Sequence, residues 1–441
     1  MRAKAAQAAL ILATAFPLVL RGQVDSAALL QQARTKIVEG NRKLLKHTCV
    51  QTVRRSRFEA FSDARTNPCG HVGEAEGPFS PMLASTDQFK LEVTISEGAE
   101  IFSWVGAREF QASDAQDVVG SGLTSTGDFG RFLMSIFGEG AAEHEYAGLE
   151  QSQGHDLAVY RYRVPKSGSR YQIKVSSRAE DLATLAYEGK FWIDPRSAEL
   201  RRLTIVVPQP PPESQTCRVE TAIDYRRVQI RGSWLLLPEL TLLKLWDADG
   251  SRYENRTTYG ACRAFESETV FRPELDENPA DSAGAQTPPM GDSAAAKTPG
   301  PLPQGKTLQI ALRSKIDEQN SFAGDAIEGQ LLQAVRGRGG SILAPQGSTV
   351  HGRIVRFERH FLPSNYLALG LKFDSLNVNG REVPLTLEVV ARSRSERILN
   401  LPGEKRKGIG VFVFPGARLA LDRSFVSEWK TARRTGAGGS R

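Results

Sequence analysis

Apolar and polar positions alternate along this chain with a period that changes from region to region. Residues 25–47, DSAALLQQARTKIVEGNRKLLKH, place Leu29, Leu30, Ala33, Ile37, Leu44 and Leu45 on one stripe with a period near 3.6, which predicts an amphipathic helix. Asp25 or Ser26 can cap its start. Gly40 weakens it by about 1 kcal/mol relative to alanine, so a kink or an early end is expected there. Beyond it, and as far as residue 272, the period falls to two. FKLEVTIS, LAVYRYRV, RYQIKVSS, ELRRLTIVV, VETAIDYRRVQI and LTLLKLWD are short runs rich in β-branched and aromatic residues, parted by Gly, Pro, Asp and Ser. FWIDPRSAELRRLTI reads as a hairpin turning at Asp194, Pro195 and Ser197. DFGRFLMSIFG, residues 128–138, is a short helix candidate among these strands. The sum is one large antiparallel sheet with one or two helices, and not a series of βαβ units.

The pattern stops at residue 273. Residues 273–303 are rich in Pro, Ala, Asp and Ser and hold almost no large apolar residue, so they cannot bury enough surface to offset their ordering entropy. They are expected to be a disordered linker. From residue 304 the period of two returns, with about seven strands expected through residue 432 and a strong hairpin signal at Asn379 and Gly380. That size and strand density suggest a small barrel or sandwich. Residues 433–441 are expected to be a disordered tail. The reading is thus two folded units, 25–272 and 304–432.

The N-terminus changes the setting. Arg2 and Lys4 precede an apolar run at residues 8–20, a length that suits a secretory signal and is short for a bilayer span. A signal peptide over residues 1–22 is expected, with cleavage after Gly22 or, as a second option, after Ala28; the alternative is an uncleaved anchor. A periplasmic, outer-envelope or secreted location follows. In that oxidising setting Cys49, Cys69, Cys217 and Cys262 are expected to form disulfides. Four cysteines allow three pairings, and the sequence-local pair Cys49–Cys69 with Cys217–Cys262 is favoured. No C-x₂₋₄-C spacing supports zinc.

Two stretches resemble known families. The helix, the long strands after it and YEGKFWIDPRSAELRRLTI resemble the LolA/RseB-like half-barrel of periplasmic lipoprotein carriers and sigma regulators, over residues 28–270. That resemblance implies a curved sheet wrapped around helices with an apolar concave face. HTCVQTVRRSRF is similar to segments of exported bacterial envelope proteins of unknown function. SFAGDAIEGQLLQAVRGRGGSILAPQGSTVHGRIV, residues 321–355, resembles a stretch of the TrbI-like barrel of conjugation and secretion channels: Leu343, Pro345, Gly347, Ser348 and Gly352 match, and Ala344 and Gln346 depart. Pattern and resemblance together give a mainly β (α+β) chain: an antiparallel half-barrel with an N-terminal helix, then a separate small β-barrel.

Catalytic chemistry is not legible. The six histidines form no H-E-x-x-H, and no G-x-S-x-G occurs. Asp247 and Asp249 in WDADGSRYE could hold calcium but fit a hairpin turn better. No catalytic residue, metal or cofactor is expected. Trp104, Trp192 and Trp234 fall in expected strands and either pack a core or line an apolar groove. The net charge of +7 is uneven: residues 304–441 carry 22 Lys/Arg against 12 Asp/Glu. Arg353, Arg356 and Arg359 are candidates for an anionic contact, and for an exported chain that means phospholipid, lipopolysaccharide or acidic glycan and not nucleic acid. The expected function is non-enzymatic: the first unit binds an apolar, lipidated or peptide ligand and the second an anionic surface or partner. The alternatives are an exported hydrolase with carboxylates brought together by folding, and a structural subunit of an envelope assembly.

Overall fold

The computed structural model describes residues 25–43, 47–60, 69, 81–96, 99–107, 112, 115–120, 122–124, 127–140, 142–152, 154–174, 182–264, 302–390, 408–416 and 418–432. The expected signal peptide (1–22), the linker up to residue 301 and the tail (433–441) lie outside the described residues. The fold is mainly antiparallel β with few helices, as expected. Helix Ser26–Lys43 runs through Gly40 without ending there. Its start is capped by Asp25, whose Oδ1 accepts from the Ala28 N–H at 3.0 Å. Leu29, Ala33 and Ile37 are its buried face, one turn apart.

The first sheet is a meander closed upon its own first strands. Its order is Ala99–Trp104, Met82–Ser96, His47–Glu59, Arg252–Ala264, Ser233–Asp247, Thr216–Ile230, Glu199–Val207, Tyr187–Asp194, His155–Val164 and Glu143–Ser152, each antiparallel to the next. The expected hairpin at residues 194–199 forms, with the Ala198 N–H donating to the Asp194 carbonyl and the Arg196 N–H to its carboxylate. Helix Ser26–Lys43 and the short helix Arg131–Phe137 cover one face. There Leu29, Ala33 and Ile37 pack with Phe132, Phe137 and the inward residues Tyr160, Phe191, Leu203 and Ile223. Each Leu, Ile or Phe side chain buried there contributes about 1.5–3 kcal/mol.

The second sheet runs Gly410–Pro415, Tyr366–Val378, Thr349–His360, Ala326–Leu331, Thr307–Leu312, Val426–Thr431 and Leu387–Val389. Asn379 and Gly380 make its tight hairpin, both at positive φ, as that turn requires. Among the described residues its outer strands do not pair with one another, so the sheet curls without closing into a barrel. It is also hydrogen-bonded to the first sheet: Glu358, Arg359 and His360 pair with Asp87, Thr86 and Ser85. The Lys90 N–H donates to the Ala323 carbonyl at 2.7 Å, and Gly324 sits so close to strand Met82–Ser96 that a Cβ would fall 2.3 Å from the Lys90 carbonyl. A second core cluster spans this junction. Phe89, Leu91 and Phe102 belong to it together with Leu369, Phe373 and the fully buried Trp429.

All four cysteines are in disulfides, which fits an extracytoplasmic chain, but the pairing corrects the sequence-local expectation: Cys49 bonds Cys262 and Cys69 bonds Cys217. The reason is sheet order. The first strand of the unit lies beside its last, and Cys49 faces the bulge between Gly260 and Arg263. Cys217 opens the strand whose Arg218 faces Trp246, which in turn faces Arg252. Cys262 stands at the other end of Arg252–Ala264, roughly 30 Å away at about 3.3 Å per residue, beyond reach of Cys217. Peptide mapping without reduction is expected to recover Cys49–Cys262 and Cys69–Cys217. Replacing both Cys49 and Cys262 by alanine, which opens a separation of 213 residues, is expected to lower stability by roughly 2–5 kcal/mol in denaturant titrations.

Candidate functional site

A hollow of about 540 Å³ opens between the first sheet, the start of helix Arg131–Phe137 and the small hairpin of Gln172–Lys174 with Leu182–Thr184. Phe132 from the helix, Ile173 and Leu182 from the hairpin, and Val219, Leu243 and Leu245 from the sheet supply its apolar wall. The alternation of strands Thr216–Ile230 and Ser233–Asp247 places these residues inward, because every second side chain faces the helices. Leu123, at the rim, is held by its carbonyl, which accepts from Asn255 Nδ2 at 2.7 Å and from Arg55 Nη1 at 3.3 Å. Asp247 also lines the hollow, and burial raises its pKa to about 6. A larger hollow of about 980 Å³ lies across the outward face of the same sheet and is bordered by charged side chains such as Arg161, Lys190, Arg202 and Glu220.

The loop 127–130 anchors the apolar hollow from beneath. Asp128 is 1% exposed. Its Oδ2 accepts from Thr241 Oγ1 at 2.8 Å and from the Tyr259 hydroxyl, and its carbonyl accepts from the Tyr225 hydroxyl at 2.9 Å. Glu100 accepts from the N–H groups of Gly127 at 2.7 Å and Phe129 at 3.2 Å. Asn41 Nδ2, on the long helix, donates to the Phe129 carbonyl at 3.2 Å. Burial, and then the facing Asp128, push the Glu100 pKa up to about 7 against the two N–H bonds and Arg131. Burial likewise carries the Tyr225 and Tyr259 hydroxyls well above their ordinary range, so both remain donors. The sequence placed Asp128 at the start of a helix; the helix begins at Arg131. An acid set between Gly127 and Gly130 was the available signal for a buried loop.

The residues singled out from the sequence fall in several places. Trp104 and Arg353 meet the junction of the two sheets: Arg353 Nη1 donates to the carbonyls of Val105 and Gly324, both at 2.6 Å, and Trp104 lies against Gly324. Arg359, 6% exposed, pairs through Nε and Nη2 with both Glu318 oxygens, at 2.8 and 2.5 Å, and donates to the Gly416 carbonyl. Arg356 pairs with Glu358 at 2.7 Å. These guanidiniums are engaged within the chain. Trp192 lies away from the apolar hollow, its Nε1 donating to Glu150 at 2.8 Å. Trp234 is 53% exposed with Arg227 over its ring at 5.4 Å. None of the three tryptophans is among the residues lining the apolar hollow.

No family model matches the chain, and no curated protein matches it. Among solved structures, it is similar to a LolA superfamily protein from Nitrosomonas europaea, at 10% identity and a TM-score of 0.25, covering 53% of this chain and 93% of that one. A DUF1329 family protein from Desulfovibrio piger ATCC 29098 is similar at 11% identity and a TM-score of 0.25, over 53% of this chain and 92% of that one.

Glu100 makes stability depend on pH in a defined direction. Its folded pKa of about 7 stands above the ordinary 4.5, so the folded state holds the proton more tightly than the unfolded one. Stability is therefore expected to fall as pH rises from about 5 to about 7.5, by up to about 3 kcal/mol from this group. Glu100→Gln is expected to flatten that slope, while losing one of the two N–H bonds. Denaturant midpoints at pH 5.5 and 8 for both proteins check this; an unchanged slope would place the raised carboxyl elsewhere.

Proposed function

We propose that this is an extracytoplasmic, non-catalytic binding protein whose first unit takes an apolar chain, such as the acyl chain of a lipid or of a lipidated polypeptide, into the hollow beneath Phe132. The observation that carries the reading is that hollow itself: about 540 Å³, within the usual range for small-ligand sites, with the apolar wall of Phe132, Ile173, Leu182, Val219, Leu243 and Leu245 facing polar lining that includes Arg131, Arg170 and Asp247, a pairing that suits an acyl chain with a polar head. Removing an acyl chain from water is favoured by about 0.8 kcal/mol for each methylene buried. The lining at Leu123 is held in place by the hydrogen bonds of its carbonyl with Asn255 and Arg55, so this part of the site is formed in advance of a ligand.

One observation favours hydrolysis as a second reading, the buried pair Glu100 and Asp128. Their oxygens are already occupied by the Gly127 and Phe129 N–H groups, Thr241 and Tyr259, and neither residue lines the hollow. The pair reads better as a structural anchor, and binding is retained as the conclusion.

The test is direct. The full chain is expected to bind pyrene-labelled palmitate in vesicle-free buffer and to retain lipid in native mass spectrometry after mild extraction. Ile173→Asp with Leu182→Asp changes one half-buried and one exposed wall residue, sparing the core. It is expected to weaken binding about tenfold or more. Equal affinity in the variant, or no lipid on either protein, would refute the reading.

A further inference from the structure

The second unit carries a short hairpin that has no role in the first unit's hollow. Strands Val335–Arg336 and Ile342–Ala344 pair with each other as a small sheet of their own. Val335 and Ala344 are buried and fix its base. Beyond them the chain turns back on itself: the Gly337 N–H donates to the Ser341 carbonyl at 2.7 Å, and Arg336 Nη1 crosses the turn to the Gly340 carbonyl at 3.2 Å. Gly339 and Gly340 have φ of 74° and 82°, the left-handed region that favours glycine. A Cβ at either would meet nothing within 4 Å, and Arg338, Gly339 and Gly340 are all exposed, so among the described residues the tip faces open space.

Two aliphatic side chains are left in the open here. Ile342 is 58% exposed, and Leu332, at the foot of the hairpin, is 37% exposed. Arg336 and Arg338 are exposed beside them. The surrounding sequence is one-sided in charge: no Asp or Glu occurs between Glu328 and Glu358, while Arg336, Arg338, Arg353 and Arg356 do. Arg353 and Arg356 are tied down internally, so the outward cations are those of the hairpin.

We propose that this hairpin, through Ile342, Leu332, Arg336 and Arg338, docks the second unit onto an anionic lipid bilayer. Aliphatic side chains flanked by guanidiniums match the boundary between acyl chains and phosphates, where one group leaves water and the other meets opposite charge. Ile342 stands two residues, about 7 Å, from the buried base at Ala344, within the depth that interfacial segments enter. An anionic polysaccharide would satisfy the arginines but leave Ile342 in water, so the lipid surface accounts for more of what the hairpin presents.

Co-sedimentation of the full chain with vesicles tests this. Binding is expected to vesicles of phosphatidylglycerol and phosphatidylcholine, weaker to phosphatidylcholine alone, and to decline as salt rises. Arg336→Gln and Arg338→Gln are each expected to lower the partition coefficient about fivefold. Ile342→Ser is expected to lower it about tenfold. All three positions are exposed, so thermal midpoints should match the unaltered chain. Ile342→Trp adds a second readout, a blue-shifted emission on anionic vesicles. A chain that stays in the supernatant, or variants that partition as the original does, would overturn the proposal. So would loss of binding in the arginine variants with full binding in Ile342→Ser, which would assign the hairpin to a soluble polyanion. None of these outcomes bears on palmitate uptake by the first unit, which is read without vesicles.

Discussion

Asp128 is the constraint on which the first unit depends. A carboxylate taken out of water must be met by donors: Thr241 and Tyr259, on two strands, donate to the carboxylate, and Tyr225, on a third, donates to the backbone carbonyl of the same residue. A fourth strand supplies Glu100, which grips the neighbouring N–H groups, and the long helix supplies Asn41. The loop 127–130 is therefore fixed by five elements, two that precede it in the chain and three consecutive strands about a hundred residues after it. Helix Arg131–Phe137 follows directly from it, so the position of Phe132 in the hollow is set by the Asp128 network. Phe129 packs into one core cluster and Phe132 into the other, so the loop joins the two cores, as strands Thr216–Ile230 and Ser233–Asp247 also do.

Strand Met82–Ser96 has a comparable role at the larger scale. On one side it pairs with His47–Glu59, and at its start it pairs with the second sheet. Lys90 adds an ion pair to Asp325 at 2.8 Å, and Gln88 Nε2 donates to the carbonyls of Glu318 and Ser321. Asp87 on this strand pairs with Arg55, which in turn holds the Leu123 carbonyl at the rim of the hollow. The junction and the mouth of the hollow thus share a short run of polar contacts.

What the sequence disclosed was local. The period of 3.6 gave the buried face Leu29, Ala33 and Ile37, alternation gave the strands, and Asn379 with Gly380 gave a hairpin. Each of these depends on neighbours a few positions away. What it withheld was long-range. The cysteine pairing follows from placing the first strand beside the last, which no spacing rule shows. The arginines looked like a basic surface because charge alone does not say which way a side chain turns; Arg353 finds its acceptor 248 positions away, at Val105. Size marks the tryptophans out in the sequence, yet the apolar part of the hollow's lining comes from Phe132 and aliphatic side chains. Closure of the second unit into a separate barrel is likewise a matter of which edges meet, and in the described residues the meeting partner of its sheet is the first sheet.

The bond between Cys49 and Cys262 has a mechanical consequence. His47 lies opposite Ala264, so the chain enters and leaves the first sheet side by side, and the disulfide closes that gap covalently. Tension applied between the N-terminal helix and the segment beyond Ala264 passes through this bridge. Once the helix has come away from the sheet it covers, the strands that carry the hollow lie within the covalent ring and are spared that load. Reduction would transfer the force to the hydrogen bonds between His47–Glu59 and Arg252–Ala264, which would then open in succession from the end where the chain leaves the sheet.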